Sequence, residues 1–141
     1  MNKNLLALDI ATNMGWCVHD GGGTVNLKKG FSKNRLYEIY WFLNDMHLSY
    51  NLDTIAVERI AGQHKQALIV MAMLRGVVEF FAYKHGIDVI EFSPGEIKKY
   101  YTGNGRASKE MMIEQYIKIN NEMPQDDNHA DAHAIFCLAN E

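Results

Sequence analysis

The chain has little cysteine: two residues, Cys17 and Cys137, among 141. Both stand in apolar surroundings and read as small core residues, which excludes a disulfide-built scaffold and suits a reducing, cytoplasmic setting. Long apolar runs are also missing. None approaches the roughly 20 residues that cross a bilayer, so no membrane partner is expected. The opening MNKNLLALDIATNMG has one lysine before its apolar stretch and an aspartate within it, which makes a poor signal peptide. His129 and His133 are four apart, yet no HExxH and no cysteine pair accompanies them, so zinc is not expected and the two are left to border another site. A surplus of positive charge is absent as well. The net charge of −3 looks wrong for a nucleic-acid binder, but it is an average over separate patches. Acidic residues gather in Glu122 and Asp126-Asp127, basic ones in Lys28-Lys29, Lys33 and Arg35 and again in Lys98-Lys99, Arg106 and Lys109. What remains is an ordinary globular composition, 48% hydrophobic and 22% charged, in one domain over residues 1–141.

The chain is organised around its opening, Leu5-Leu6-Ala7-Leu8-Asp9. Four apolar residues running into turn residues read as a buried strand. An unpaired carboxylate at its end is costly, so Asp9 is either paired by hydrogen bonds or binds a cation. Gly15 to His19 reads as a second strand, Gly21-Gly22-Gly23 as a tight turn and Thr24 to Phe31 as a third strand, which together make an antiparallel meander. Ser32 is placed to cap a helix whose apolar face is Leu36, Ile39, Tyr40, Leu43 and Met46, ending near Asn51. Asp53 to Glu58 is a further β-rich run that ends on a carboxylate. After the polar connection Arg59 to Lys65, a long helix runs from Gln66 to Tyr83. It is apolar nearly all round, so one face is expected on the sheet and another on a second subunit. Gly86 closes it, and Ile87 to Phe92 is the fifth strand. Ser93-Pro94 opens a short helix through Tyr100. Thr102 to Arg106 is a loop, Ser108 caps a helix to Asn121, and Asp126 or Asp127 caps the last helix, Asn128 to Ala139. The order of elements is that of an α/β protein with a mixed five-stranded sheet.

Carboxylates recur at element ends: Asp9, Glu58, and Asp127 with Asp131 on one face of the last helix. Taken singly, Asp9 could be a turn cap, Glu58 a partner of Arg59, and Asp127 an N-cap. Taken together they make a cluster that cannot carry its charge without compensation. Hard divalent cations supply that compensation through oxygen ligands, and a pair of them suits phosphoryl transfer. The segment Ile97 to Lys109, IKKYYTGNGRASK, interleaves cations, aromatics and glycines. Its lysines and arginine can neutralise phosphates, and its glycines let a backbone approach them. It does not fit the Walker pattern.

The residues LALDIATNMGW, TIAVE, IKKYYTGNGRASKEMM and HADAHAIFCLA resemble, across nearly the whole chain, the RuvC family of Holliday-junction resolvases within the ribonuclease H-like superfamily. The third stretch is the most specific. The resemblance implies a ribonuclease H-like fold, a homodimer through the helix 66–83, and hydrolysis of branched, four-way DNA with Mg²⁺ or Mn²⁺, two ions to a site. It implies metal-ligand roles for Asp9, Glu58 and Asp131, and puts Lys98 and Lys109 where family lysines contact DNA or stabilise the scissile phosphate. Lys65, Lys99 and Arg106 join them as DNA contacts. A further family ligand usually lies three residues before the last aspartate. Here that position is Asn128, and Asp127 stands as its substitute. The loop after Glu58 is short and Ala61 replaces an expected aromatic wedge, so junction discrimination is expected to differ. The short chain also resembles phage and viral members more than the standard bacterial enzymes. The rival readings are a ribonuclease H-like nuclease of other specificity (flaps or RNA–DNA hybrids), an actin-like ATPase, and a junction binder without catalysis.

Overall fold

A computed structural model describes residues 1–27 and 32–141, with the side chains of residues 32 and 33 left undescribed. The end of the third strand expected at Phe31, the cap expected at Ser32, and Lys28, Lys29 and Lys33 of the first basic group therefore lie outside the described residues.

Five strands form one sheet: β1 (Leu5–Asp9), β2 (Asn13–Val18), β3 (Gly21–Asn26), β4 (Thr54–Glu58) and β5 (Asp88–Phe92). Their order across the sheet is β3-β2-β1-β4-β5. The first three are antiparallel, while β1, β4 and β5 run parallel. The helices are α1 (Ser32–Tyr50), α2 (Lys65–His85), α3 (Pro94–Thr102), α4 (Lys109–Asn120) and α5 (Asp127–Ala139). This is the mixed α/β arrangement expected, with the helices split between the two faces of the sheet.

Strand periodicity divides the core. Leu6, Leu8, Ile55 and Val57 point to one face and pack with Ile39 and Leu43 of α1 and Leu74, Val78 and Phe81 of α2. Leu5, Ala7 and Ala56 point to the other and pack with Ile97, Met112, Ala132, Ile135 and Phe136 of α3, α4 and α5. All four residues Leu5 to Leu8 are buried. A central strand covered on both faces reads as a continuous apolar run for this reason.

Two local expectations are corrected. Gly21-Gly22-Gly23 is not the turn: the chain turns at His19-Asp20, and the three glycines lie inside β3. Two of them face close neighbours, Gly22 the helix α5 and Gly23 the residue Gln125 that leads into it, while the space around Gly21 is open. A Cβ on Gly22 would stand 2.8 Å from His129 Nε2, and one on Gly23 would stand 2.8 Å from Gln125 Oε1. The second correction concerns α2. By length and composition it is apolar enough to cross a bilayer, with a mean hydropathy of 1.5 over its most apolar window. Arg75 and Gly76 interrupt the run, which hides this from a search for unbroken apolar residues. Only Leu74, Val78, Phe81 and Ala82 of α2 are buried, so most of its apolar surface is left uncovered by the chain.

Both thiols behave as core groups. Burial pushes the Cys17 thiol up to about 12 and that of Cys137 up to about 11, so each stays protonated at neutral pH.

Candidate active site

Register brings the first two carboxylates together. β1 and β4 are parallel neighbours with Leu8 beside Val57, so the next residue on each strand, Asp9 and Glu58, closes the sheet at the same edge. Alternation then puts both side chains on the face that carries Ala7 and Ala56, the face covered by α5. α5 lies close there because Ala130, Ala132 and Ala134 are fully buried and small. Its two aspartates, Asp127 and Asp131, are one turn apart on the side nearest the strand ends.

The electrostatics record how closely these groups meet. Burial raises the Asp9 carboxyl well above the ordinary range, and Asp131, Glu58, Asp127 and Asp126 push it further in that order. Asp131 rises from 3.8 to about 7, first through burial and then through Glu58 and Asp127, while Lys98 and Lys109 pull it back. Glu58 is raised by burial and held down by Lys98. Lys109 Nζ stands 3.6 Å from Asp127 Oδ2. Three buried carboxylates therefore share one patch with the half-buried Asp127, and two lysines face them. Such a patch is short of positive charge, and its donors are all hard oxygens, so it fits a hard divalent cation. Among the described residues the carboxylates do not close on one coordination centre.

The C-terminal acidic run divides its work. Asp126 is the N-cap of α5, its Oδ1 accepting the N–H of His129 at 3.0 Å. The same oxygen accepts the Thr24 hydroxyl at 2.6 Å. Asn128 lies against β2 with its backbone carbonyl over Gly15. That leaves Asp127 as the residue of the three whose carboxylate adds to the field at both Asp9 and Asp131 while remaining free of the cap. Glu58 makes no ion pair with Arg59 among the described residues; Arg59 is exposed, and its N–H donates to the Phe92 carbonyl at 2.7 Å.

Of the basic residues, Lys98 and Lys109 face the carboxylates. Lys99 turns away, its Nζ donating to the Gly103 carbonyl at 3.0 Å at the end of its own helix. Arg106 and Lys65 are exposed, on the α3–α4 loop and at the start of α2, and no ion pair ties either to a carboxylate among the described residues. The histidines do not border the carboxylates as expected. His129 Nδ1 accepts the Gln125 N–H at 2.9 Å, and its Nε2 lies 3.4 Å from the Tyr116 hydroxyl. His133 Nδ1 takes the Tyr101 hydroxyl at 2.8 Å, and burial lowers the imidazole to about 4. Both are neutral packing groups turned toward α3 and α4. The residues missed from sequence are Gly15 and Thr24. Their signal lies in strand register, since both fall on the rung of Asp9.

A family model for the crossover junction endodeoxyribonuclease RuvC matches residues 10–138 of the chain. The chain is 36% identical over 106 residues to a crossover junction endodeoxyribonuclease RuvC from Gloeobacter violaceus, covering 72% of this chain and 60% of that protein. It thus spans less than two thirds of that relative's length. Among solved structures it is similar to the T. thermophilus RuvC in complex with a Holliday junction substrate. The TM-score is 0.75 at 20% identity, over 93% of this chain and 88% of that one. It is also similar to the Fowlpox virus resolvase in complex with its substrate Holliday junction DNA. Here the TM-score is 0.61 at 14% identity, over 96% and 97% of the two chains. At these identities the structural likeness establishes the fold, a sheet and helices arranged as in RuvC.

Proposed function

The chain belongs to the RuvC family of crossover junction endodeoxyribonucleases, and on that premise we propose that it is a metal-dependent endonuclease that resolves four-way DNA junctions by paired nicks. The observation that carries this reading is the convergence of Asp9, Glu58, Asp127 and Asp131 from three separate elements, with Lys98 and Lys109 facing them.

Asp9, Glu58, Asp127 and Asp131 would hold Mg²⁺ or Mn²⁺, two ions to a site. Bound there, such ions supply Lewis-acid activation of an attacking water and stabilisation of the departing 3′ oxygen. The chain's own residues do the rest. Asp9, at the deepest point, lies within the field of all the other carboxylates and would be a ligand at the centre of the site. Lys109 stands at the rim of the cluster, where its ammonium offsets charge that builds on the scissile phosphate. Lys98 acts on both Glu58 and Asp131, lowering each against the rise that burial imposes and so favouring the ionised forms that a cation needs. Exposed Arg106 and Lys65 extend the positive surface along a DNA backbone.

A junction presents two strands related by an approximate two-fold axis, so its symmetric resolution calls for two sites. Homodimerisation through α2 meets that need. Ile69, Met73, Gly76, Phe80 and Tyr83 form an exposed stripe spaced four, three, four and three, the seam along which two helices pack. Gly76 at its centre lets the two backbones approach.

The test is cleavage of a synthetic four-way junction beside a matched linear duplex, with Mg²⁺ or Mn²⁺ and with chelator. Paired, cation-dependent nicks confined to the junction are expected. Cutting of flaps or duplex as well would replace this reading with a broader structure-selective nuclease. Binding without cutting would make the protein a junction binder.

A further inference from the structure

We propose that Thr24 is a positioning residue for the reaction centre: it selects Asp126 as the cap of α5 and so leaves Asp127 to the carboxylate cluster. The inference rests on the reading of that cluster as a cation-binding centre.

Two adjacent aspartates begin α5, and aspartate is among the strongest N-caps. Nothing in their own chemistry decides which one caps. If Asp127 capped, its carboxylate would turn to the backbone N–H groups of the first turn. The helix would also begin one residue later. Each residue on a helix advances about 100° and about 1.5 Å, so a one-residue change of start re-aims the first turn completely. The cluster would lose Asp127, and the approach of Asp131 to Asp9 would change with it.

The sheet makes the choice. Asp9 pairs with Gly15 across β1 and β2, and Gly15 pairs with Thr24 across β2 and β3. Opposed residues on a rung share a face, so Asp9, Gly15 and Thr24 all look toward α5. Each has a different task. Asp9 carries the carboxylate. Gly15 carries no side chain, and a Cβ there would overlap the Asn128 carbonyl, so the first turn of α5 can seat its backbone on β2. Thr24 holds that turn: its Oγ1 donates to Asp126 Oδ1 at 2.6 Å, and its N–H donates to Gln125 Oε1 at 3.1 Å. The oxygen gripped by Thr24 is the one that accepts the His129 N–H at 3.0 Å. One carboxylate oxygen thus joins the outer strand to the start of the helix. Among the described residues no bond of this kind reaches Asp127, whose partner is the Lys109 ammonium at 3.6 Å.

The experiment compares Thr24→Val, Thr24→Ser, Asp126→Asn and Asp127→Asn in the full chain. Three quantities are read: Mn²⁺ affinity by calorimetry, kcat and KM on a four-way junction, and amide exchange at His129. Valine keeps the strand-compatible shape and removes the hydroxyl. Thr24→Val is expected to lose about tenfold or more in Mn²⁺ affinity and in kcat, the range found when a group that orients metal ligands is removed. KM should stay within about twofold, as for a group that acts on the chemical step. Amide exchange at His129 should rise several-fold. Thr24→Ser restores the hydroxyl and should restore all three. Asp126→Asn keeps an oxygen that can accept both bonds and should bind Mn²⁺ as the parent does, whereas Asp127→Asn should not.

A Thr24→Val protein with lowered stability but parental Mn²⁺ affinity, kcat and His129 protection would overturn the inference. So would an Asp126→Asn protein as impaired in Mn²⁺ binding as Asp127→Asn. If the parent protein cut no junction, the proposed function would fall. The Mn²⁺ and amide-exchange arms would still decide the role of Thr24, the second of them without any cation.

Discussion

Replacing Asp131 by asparagine should make the cation-free protein more stable, and by an amount that depends on pH. In the fold its carboxyl titrates at about 7 instead of 3.8, because it is buried beside Glu58 and Asp127. At about 1.4 kcal/mol for each pH unit of that displacement, keeping Asp131 ionised costs the folded state on the order of 4 kcal/mol. Below pH 4 the group is protonated in both states and costs nothing. Between about 4 and 7 the folded chain binds the proton and the unfolded chain does not, so stability falls as pH rises through that window. Above 7 the whole cost is present. Asparagine never ionises. In chelator, Asp131→Asn and the parent should unfold at similar urea concentrations near pH 4. At pH 8 the variant should be ahead by up to about 4 kcal/mol, a gain on the order of 10 °C in Tm for a domain of this size. Urea titrations followed by circular dichroism across pH 4 to 9 measure both the gap and its slope. Adding Mn²⁺ at about a hundred times its dissociation constant should then stabilise the parent by about 2.7 kcal/mol and the variant far less, which narrows the gap. A gap that is absent at pH 8, or equal at pH 4 and pH 8, would show that Asp131 is not held among like charges, and the cluster would lose its basis.

Asp9→Asn and Glu58→Gln should each abolish cutting while leaving folding and junction binding intact, as judged by nicking gels beside gel-shift assays; full activity in either would remove that carboxylate from the site. Lys98→Met and Lys109→Met should each raise the Asp131 carboxyl further, since both lysines hold it down; carboxyl-carbon NMR titrations that leave it in place would show the lysines to lie too far away to matter. Met73→Glu with Phe80→Glu puts charge on the exposed stripe of α2 and should convert a dimer to a monomer in analytical ultracentrifugation, with loss of paired nicking. An unchanged sedimentation coefficient would place the subunit contact elsewhere.

What was legible in the sequence follows from where each signal is written. Asp9 and Glu58 could be read because two apolar runs each end on a carboxylate, and parallel pairing of neighbouring strands is enough to bring such ends together. Asp127 and Asp131 could be read because four residues make one helical turn. These are local periods, and they survive without the fold. The cap of α5 could not be read, because Asp126 and Asp127 are equivalent until Thr24, more than a hundred residues earlier, takes hold of one of them. Gly21-Gly22-Gly23 misled for the same reason. Locally, three glycines signal a turn. In the fold they lie within β3, where Gly22 and Gly23 let the side chains of His129 and Gln125 lie against it. His133 is a third case: the sequence left it to border the carboxylates, and the contact with the Tyr101 hydroxyl at 2.8 Å shows its ring nitrogen engaged toward α3. All three outcomes come from contacts between α5, with the residues leading into it, and elements distant in the chain, the β2–β3 hairpin in two cases and α3 in the third. The cluster itself is encoded in short stretches of sequence. Its alignment is encoded in the interface between the last helix and the meander, which exists only once both have formed.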